Sequence, residues 1–230
     1  MASDDLLEAV RAYLSSKQLC PPPQWLTSFT ASARPNSALA ALKKSAEFKL
    51  LASDITQSLD RAICNGLPDN AVQATLKEQR ILHSVIVQIL DIEDISRSRW
   101  SQIELLEQQE RGEMTRGREI IRLNPDSDDG TTANMNPNQS KGPHKLLVQD
   151  VNGTKIYAFE LTPISGISLA IGIGAKLLIR SATIARGMIL LEAGQVELLG
   201  GKVNAWAEQW TKDRKDNLKS RLPDESNSAQ

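Results

Sequence analysis

The chain has 230 residues, with 27 Lys+Arg against 28 Asp+Glu and a formal net charge of -1, which excludes a surface cationic throughout, as a general polyanion binder would need. Hydrophobic residues make up 40% and charged residues 24%, the balance of a globular chain and not of a disordered one. Aromatic residues are only 4%, so few side chains are available for gripping a single strand by stacking.

The first part of the chain reads helical. Leu6, Leu7, Val10, Tyr13 and Leu14 share one side at helical spacing. Pro21, Pro22 and Pro23 stop that helix. Trp25, Leu26 and Phe29 predict a short second helix, and Leu39, Leu42, Ala46 and Leu50 a third. Ile55, Leu59 and Ile63 recur at i, i+4 and i+8 as a further helical signal. These helices form a small bundle over residues 1–66, with the apolar stripe as its core. Gly66-Leu67-Pro68-Asp69 then punctuates the chain.

From Ile81 the period changes. ILHSVIVQILDIEDI is rich in Ile and Val and predicts one curved strand that includes His83. The charged QIELLEQQERGE follows as a short helical segment. Residues 105–144 then form a long insertion loop, rich beyond 111 in Gly, Asn, Pro, Asp and Ser, with His144 at its end; such loops inside a compact domain are functional or disordered. LLVQDV (146–151) and KIYAFEL (155–161) flank Asn152-Gly153, a strong hairpin signal. KLLIRSATIA (176–185) and GMILLEAGQVELLGGKV (187–203) supply two or three more strands. Val203, Trp206 and Trp210 open a helix that runs to about Lys219. The fold class is therefore α+β: an N-terminal helical bundle, then a five-stranded OB-fold β-barrel over 67–220, with a long insertion after its first strand and a C-terminal helix. Residues 221–230 read as a disordered polar tail.

Tests for chemistry come out negative. Cys20 and Cys64 have no CxxC spacing and read as reduced thiols of a reducing compartment. MASDDLLEAV lacks the basic start and apolar stretch expected of a signal peptide, and the apolar run 167–175 is stopped by Lys176, short of the ~20 residues of a bilayer span. His83 and His144 stand far apart, and no His/Cys cluster has metal-ligand spacing. Gly172-Ile173-Gly174-Ala175-Lys176 lacks the phosphate-loop spacing, with Leu177 where Ser or Thr would hold magnesium. Gly200-Gly201-Lys202-Val203 fails likewise, and both read as turns. Asp126, Asp128 and Asp129 are out of register for a calcium loop. No nucleophile–base signature is present. The chain is thus expected not to be an enzyme and to need no metal or cofactor. The barrel offers Lys145, Lys155, Lys176, Arg180 and Arg186 as a candidate DNA or partner face. Tyr157 and Phe159 alternate onto one side of their strand, either core or ligand side.

Four stretches carry a resemblance. ILDIEDISRSRWSQIELL (89–106), YAFELTPISGI (157–167), GAKLLIRSATIARGMILLEAGQVELLGGKVNAW (174–206), and the leading helices with Trp25-Leu26 and LLASDIT together resemble the RecQ-mediated genome instability protein 1 family in its short fungal form. The resemblance implies a non-catalytic, nuclear scaffold that binds topoisomerase III, works with a RecQ-family helicase, and promotes decatenation and dissolution of double Holliday junctions. It implies that the insertion reaches the topoisomerase gate. Within the insertion, the cations Arg111, Arg116, Arg118 and Arg122 and the apolar island Ile120, Ile121 and Leu123 are the expected partner contacts. DNA is expected to be bound weakly or only within that complex. The alternative is a stand-alone single-stranded-DNA-binding OB module, which would bind oligonucleotides tightly and salt-sensitively.

Overall fold

Three consecutive prolines cannot donate the backbone hydrogen bonds of a continuing helix, and the first helix ends ahead of them. The computed structural model describes residues 3–33, 38–111 and 142–222. Helix α1 (Ser3–Ser16) is followed by Gln18 in the left-handed region, φ 59°, a usual way to end a helix. Helix α2 (Pro23–Ala31) starts with proline in its first turn, where the missing N–H costs nothing. Helix α3 (Leu39–Leu51) lies against α1, and Val10, Leu14, Leu26, Phe29, Ala46 and Leu50 form the buried centre. At about 1.5–3 kcal/mol per buried large aliphatic side chain, this small core is what holds helices this short. On its rim Glu47 accepts hydrogen bonds from the Tyr13 hydroxyl at 2.6 Å, Lys17 at 2.6 Å and Lys44 at 2.9 Å.

The fourth helical signal is cut short. Helix α4 spans only Ile55–Ser58, capped by the Asp54 carboxylate, which accepts from Thr56 N at 2.9 Å. The chain then turns extended at Leu59, and Asp60 N donates to the Cys20 carbonyl at 2.8 Å. Ile55 and Leu59 are buried, but Ile63 is 59% exposed. The i, i+8 partner therefore belongs to no helical face, because a tertiary hydrogen bond redirects the backbone after a single turn.

Among the described residues eight short strands make one sheet: β1 (Gln79–Ile81), β2 (Val85–Asp94), β3 (His144–Asp150), β4 (Lys155–Glu160), β5 (Lys176–Ile179), β6 (Ala182–Ala185), β7 (Met188–Leu191) and β8 (Val196–Gly200). Their order is β1-β6-β7-β4-β3-β2-β5-β8, with β4 and β7 parallel and every other neighbouring pair antiparallel. β5 and β6 lie toward opposite ends of that order, yet only Arg180 and Ser181 separate them along the chain. The sheet must therefore curl back on itself, as in a partly open Greek-key barrel. The five barrel strands foreseen are β2, β3, β4, the kinked pair β5–β6, and β7; β1 and β8 extend the edges.

The barrel interior is apolar. Val85, Val87 and Ile89 of β2 meet Leu146, Val148, Ile156, Ala158, Leu177 and Ile189. The Asn152-Gly153 turn forms as foreseen, Gly153 taking φ 92°. Asp150 braces it, accepting from Asn152 N, Thr154 N and Leu67 N at 2.8–3.0 Å. Helix α5 (Arg99–Glu110), capped by Ser98, follows β2 and takes up residues 105–110 of the foreseen loop. Helix α6 (Asn204–Ser220) ends the described fold, with Trp206 and Trp210 packed against the barrel core.

The histidines exchange roles relative to expectation. His83 sits exposed in the break between β1 and β2, because those segments pair with different partners, β6 and β3. His144 is the first residue of β3 and is buried. Arg221, expected in the tail, follows the last turn of α6 and lies 2.8 Å from Asp91. Among the described residues no helix is long and apolar enough to cross a membrane.

Candidate partner-binding surfaces

The first surface is the root of the insertion. Asp94, at the end of β2, stands opposite His144, the start of β3, so the chain leaves and re-enters the sheet at adjacent points. Both roots are held by buried polar contacts. On the outgoing side Gln102 donates to the Asp94 and Arg97 carbonyls at 2.7 and 3.2 Å. Arg99 Nε donates to Glu93 at 2.7 Å. Burial acts to raise the Glu93 carboxyl, but Arg99 and Lys145 outweigh it and hold it below its ordinary range. Helix α5 is tied to α6 by Lys219–Glu107 at 2.8 Å and by Lys215–Glu110. On the incoming side Glu160 accepts from the His144 backbone N–H at 3.0 Å and from Ile164 N at 2.6 Å. The His144 ring Nδ1 lies 2.7 Å from the same carboxylate. A long segment is thus mounted on two rigid posts, a common way to build a binding element.

Of the residues expected to contact a partner, Arg111 lies just past the end of α5. Arg116, Arg118, Ile120, Ile121, Arg122 and Leu123 fall outside the described residues. Beside the outgoing post is a cavity of about 290 Å³, lined in part by Arg97, Leu105, Leu169 and Arg214. The Arg214 guanidinium lies 5.0 Å from the Trp210 ring centroid, and burial pushes its pKa down.

The five barrel cations do not form one face. Lys176 is fully buried, with Nζ donating to the carbonyls of Leu51 (2.9 Å), Ser53 (2.6 Å) and Gly174 (2.6 Å). It cannot meet DNA or a partner. Burial pushes its ammonium down to about 8, still protonated at neutral pH and so able to donate all three bonds. Arg180 is exposed after β5 and pairs with Glu197 of β8, on the far side of β2 from β3 and β4. Lys145, Lys155 and Arg186 remain together: Lys145 on β3, Lys155 on β4, and Arg186 in the β6–β7 turn. Tyr157 and Phe159 point outward, since Ile156, Ala158 and Glu160 take the inward positions of β4.

Sequence reading missed the junction between bundle and barrel. There Gln88 of β2 donates to Asp54 at 2.8 Å and accepts from Ile55 N at 3.1 Å. Gly201 lies so close to the bundle that a Cβ would sit 2.3 Å from the Leu51 carbonyl oxygen. A Cβ at Gly174 would fall 2.7 Å from the backbone N of Val203, at the entry to α6. Of the two glycine-lysine runs that fail as phosphate loops, the second meets the bundle at Gly201 and the first reaches it through Lys176. The available signal was β5 itself, KLLI, apolar on successive residues and hence covered on both sides.

A helical N-terminal domain joined through such a junction to an OB-fold barrel defines the class of protein. The family model described as "RMI1, N-terminal helical domain" matches residues 14–58, and "RMI1, N-terminal OB-fold domain" matches 67–214. The chain is 30% identical over 179 residues to RecQ-mediated genome instability protein 1 of Schizosaccharomyces pombe (strain 972), covering 71% of this chain and 72% of that relative. The chain belongs to the RecQ-mediated genome instability protein 1 family, and its role lies in genome maintenance.

Proposed function

We propose that the chain is a non-catalytic, nuclear scaffold subunit that docks on topoisomerase III, works with a RecQ-family helicase, and promotes decatenation and dissolution of double Holliday junctions. The observation that carries this reading is the match to both family domains in order along the chain. The two-post mounting of the insertion supports it. A segment held at both ends can bias a gate if its contacts differ between the open and closed states. The insertion supplies Arg116, Arg118, Ile120, Ile121, Arg122 and Leu123 for those contacts.

The test is binding of the purified chain to topoisomerase III, followed by dissolution assays with a chain lacking residues 112–141. The full chain forms a tight complex. The deletion keeps the complex while dissolution slows by roughly tenfold or more, the effect of losing ~1.4 kcal/mol of differential contact. A chain that forms no complex, or a deletion that dissolves junctions at the normal rate, overturns the reading.

A further inference from the structure

The chain has two cysteines, Cys20 and Cys64, and the fold of the bundle brings them together. Cys20 lies in the bend between α1 and α2. Cys64 closes the turn that follows Leu59, its N–H donating to the Asp60 carbonyl at 2.9 Å. The Asp60 N–H donates in turn to the Cys20 carbonyl at 2.8 Å. That bond holds the turn against the bend, and Cys64 Sγ donates to the same Cys20 carbonyl at 3.9 Å, although the two residues are 44 positions apart. Both belong to the apolar cluster in which the bundle core meets Ile86 and Val151 of the barrel.

The two thiols are not equivalent. Cys64 is buried and Cys20 half-buried. Cys20 Sγ also donates to the Ser15 hydroxyl at 3.8 Å. A hydrogen bond from the Cys64 thiol pulls the Cys20 thiol down to about 6, against burial and the Asp60 carboxylate. The same contact, together with burial, pushes the Cys64 thiol up. A partly open thiolate with a second thiol beside it is the arrangement that oxidants select. A pair that served only as apolar filler would need neither an acidic member nor an open side.

We propose that Cys20 and Cys64 are an oxidative modification site, converted by hydrogen peroxide into an intramolecular disulfide that staples the end of α1 to the connector leading into the barrel. The Cys20 thiolate attacks one peroxide oxygen. An S–O bond forms as the O–O bond breaks, and the departing hydroxide takes up a proton and leaves as water. Cys20 is then a sulfenic acid. The Cys64 sulfur attacks the Cys20 sulfur, the S–S bond forms and the S–O bond breaks. The Cys64 proton leaves with the hydroxyl as a second water. The two thiols have together given up two electrons, and one peroxide has been reduced to two waters. The connector runs on from Cys64 to Leu67, whose N–H is held by Asp150 of β3, so the staple acts where the chain passes from bundle to barrel. A cross-link over 44 positions restricts the unfolded chain, and the oxidised protein is the more stable form.

The experiment treats the reduced full chain with hydrogen peroxide at neutral pH and low protein concentration. Both thiols disappear together when counted with a thiol reagent under denaturing conditions. The intact mass falls by two hydrogens, and peptide mapping finds Cys20 joined to Cys64. The melting temperature rises by roughly 5 °C, and a dithiol restores both thiols and the original value. In Cys64→Ser, where a hydroxyl still donates to Cys20, dimedone captures the Cys20 sulfenic acid. In Cys20→Ser the remaining Cys64 reacts with peroxide roughly tenfold more slowly or less. Circular dichroism confirms that each variant is folded, and the parent chain carries the test where one is not. Thiols that survive the peroxide overturn the proposal, as does a bond between two chains or a disulfide that leaves the melting temperature unchanged. So does a Cys64 that reacts as fast as Cys20.

Discussion

The two sides of the barrel's outer surface are built from the same kind of strand and end up with opposite chemistry. On β2 and β5, outward Ile86 and Leu178 are buried, and outward Gln88 and Lys176 have their polar atoms satisfied by the helical bundle. On β3 and β4, outward Leu147, Tyr157 and Phe159 meet no bundle, and among the described residues Lys155 has no acidic partner. Burial patterns record the difference. β5 is buried at every position, whereas β3 alternates buried with half-buried along its length. A covered strand must be apolar or fully hydrogen-bonded on both faces, whereas an open one can spend its outer face on recognition.

The sharpest break of this contrast is Lys176→Ala. It leaves the Leu51, Ser53 and Gly174 carbonyls without their donor in a buried junction, and stability in urea falls by about 3 kcal/mol. A loss below about 1 kcal/mol would show that the junction is not braced by this lysine. Gly201→Ala comes next. Its Cβ would meet the Leu51 carbonyl in a backbone already at φ 90°, and the expected cost is about 2 kcal/mol in the same assay.

The bundle also carries a pH dependence of its own. Burial acts to raise the Glu47 carboxyl, but hydrogen bonds from Lys17, Tyr13 and Lys44 bring it down to about 2 from 4.5. A carboxyl lowered in the fold contributes stability that is present above its unfolded value and is lost as pH falls through the folded one. The melting temperature therefore declines between about 4.5 and about 2, and Glu47→Gln removes part of that decline. If the substituted chain shows the same acid profile, Glu47 is not its source. The smallest effect belongs to the open side: Tyr157→Ala changes stability by no more than ~0.5 kcal/mol in urea unfolding. A larger loss would mean that the ring holds the barrel together instead of facing solvent.

Much of the fold was legible because its signals are local. Prolines 21–23 set the start of α2, Asn152-Gly153 set the β3–β4 hairpin, and Trp206 and Trp210 set the buried side of α6. The resemblance read from residues 89–106 and 174–206 lies within the matched OB-fold domain. The candidate surfaces were less legible. Periodicity placed Tyr157 and Phe159 on one side of a strand but could not say which, since that depends on the curl of the sheet. The kink at Arg180–Ser181 was invisible because it arises from pairing β5 with β2 and β6 with β7. Lys176 misled most. A lysine in a sequence reads as a surface cation, yet its acceptors, Leu51 and Ser53, are supplied by residues 125 and 123 positions earlier. Sequence alone therefore determined most of the elements, their order and the family, because propensity, turn chemistry and motif act over a few residues. Only the tertiary structure decided which cations are buried, which rings are exposed and where the bundle lies on the barrel, because burial is set by what the rest of the chain brings against each face.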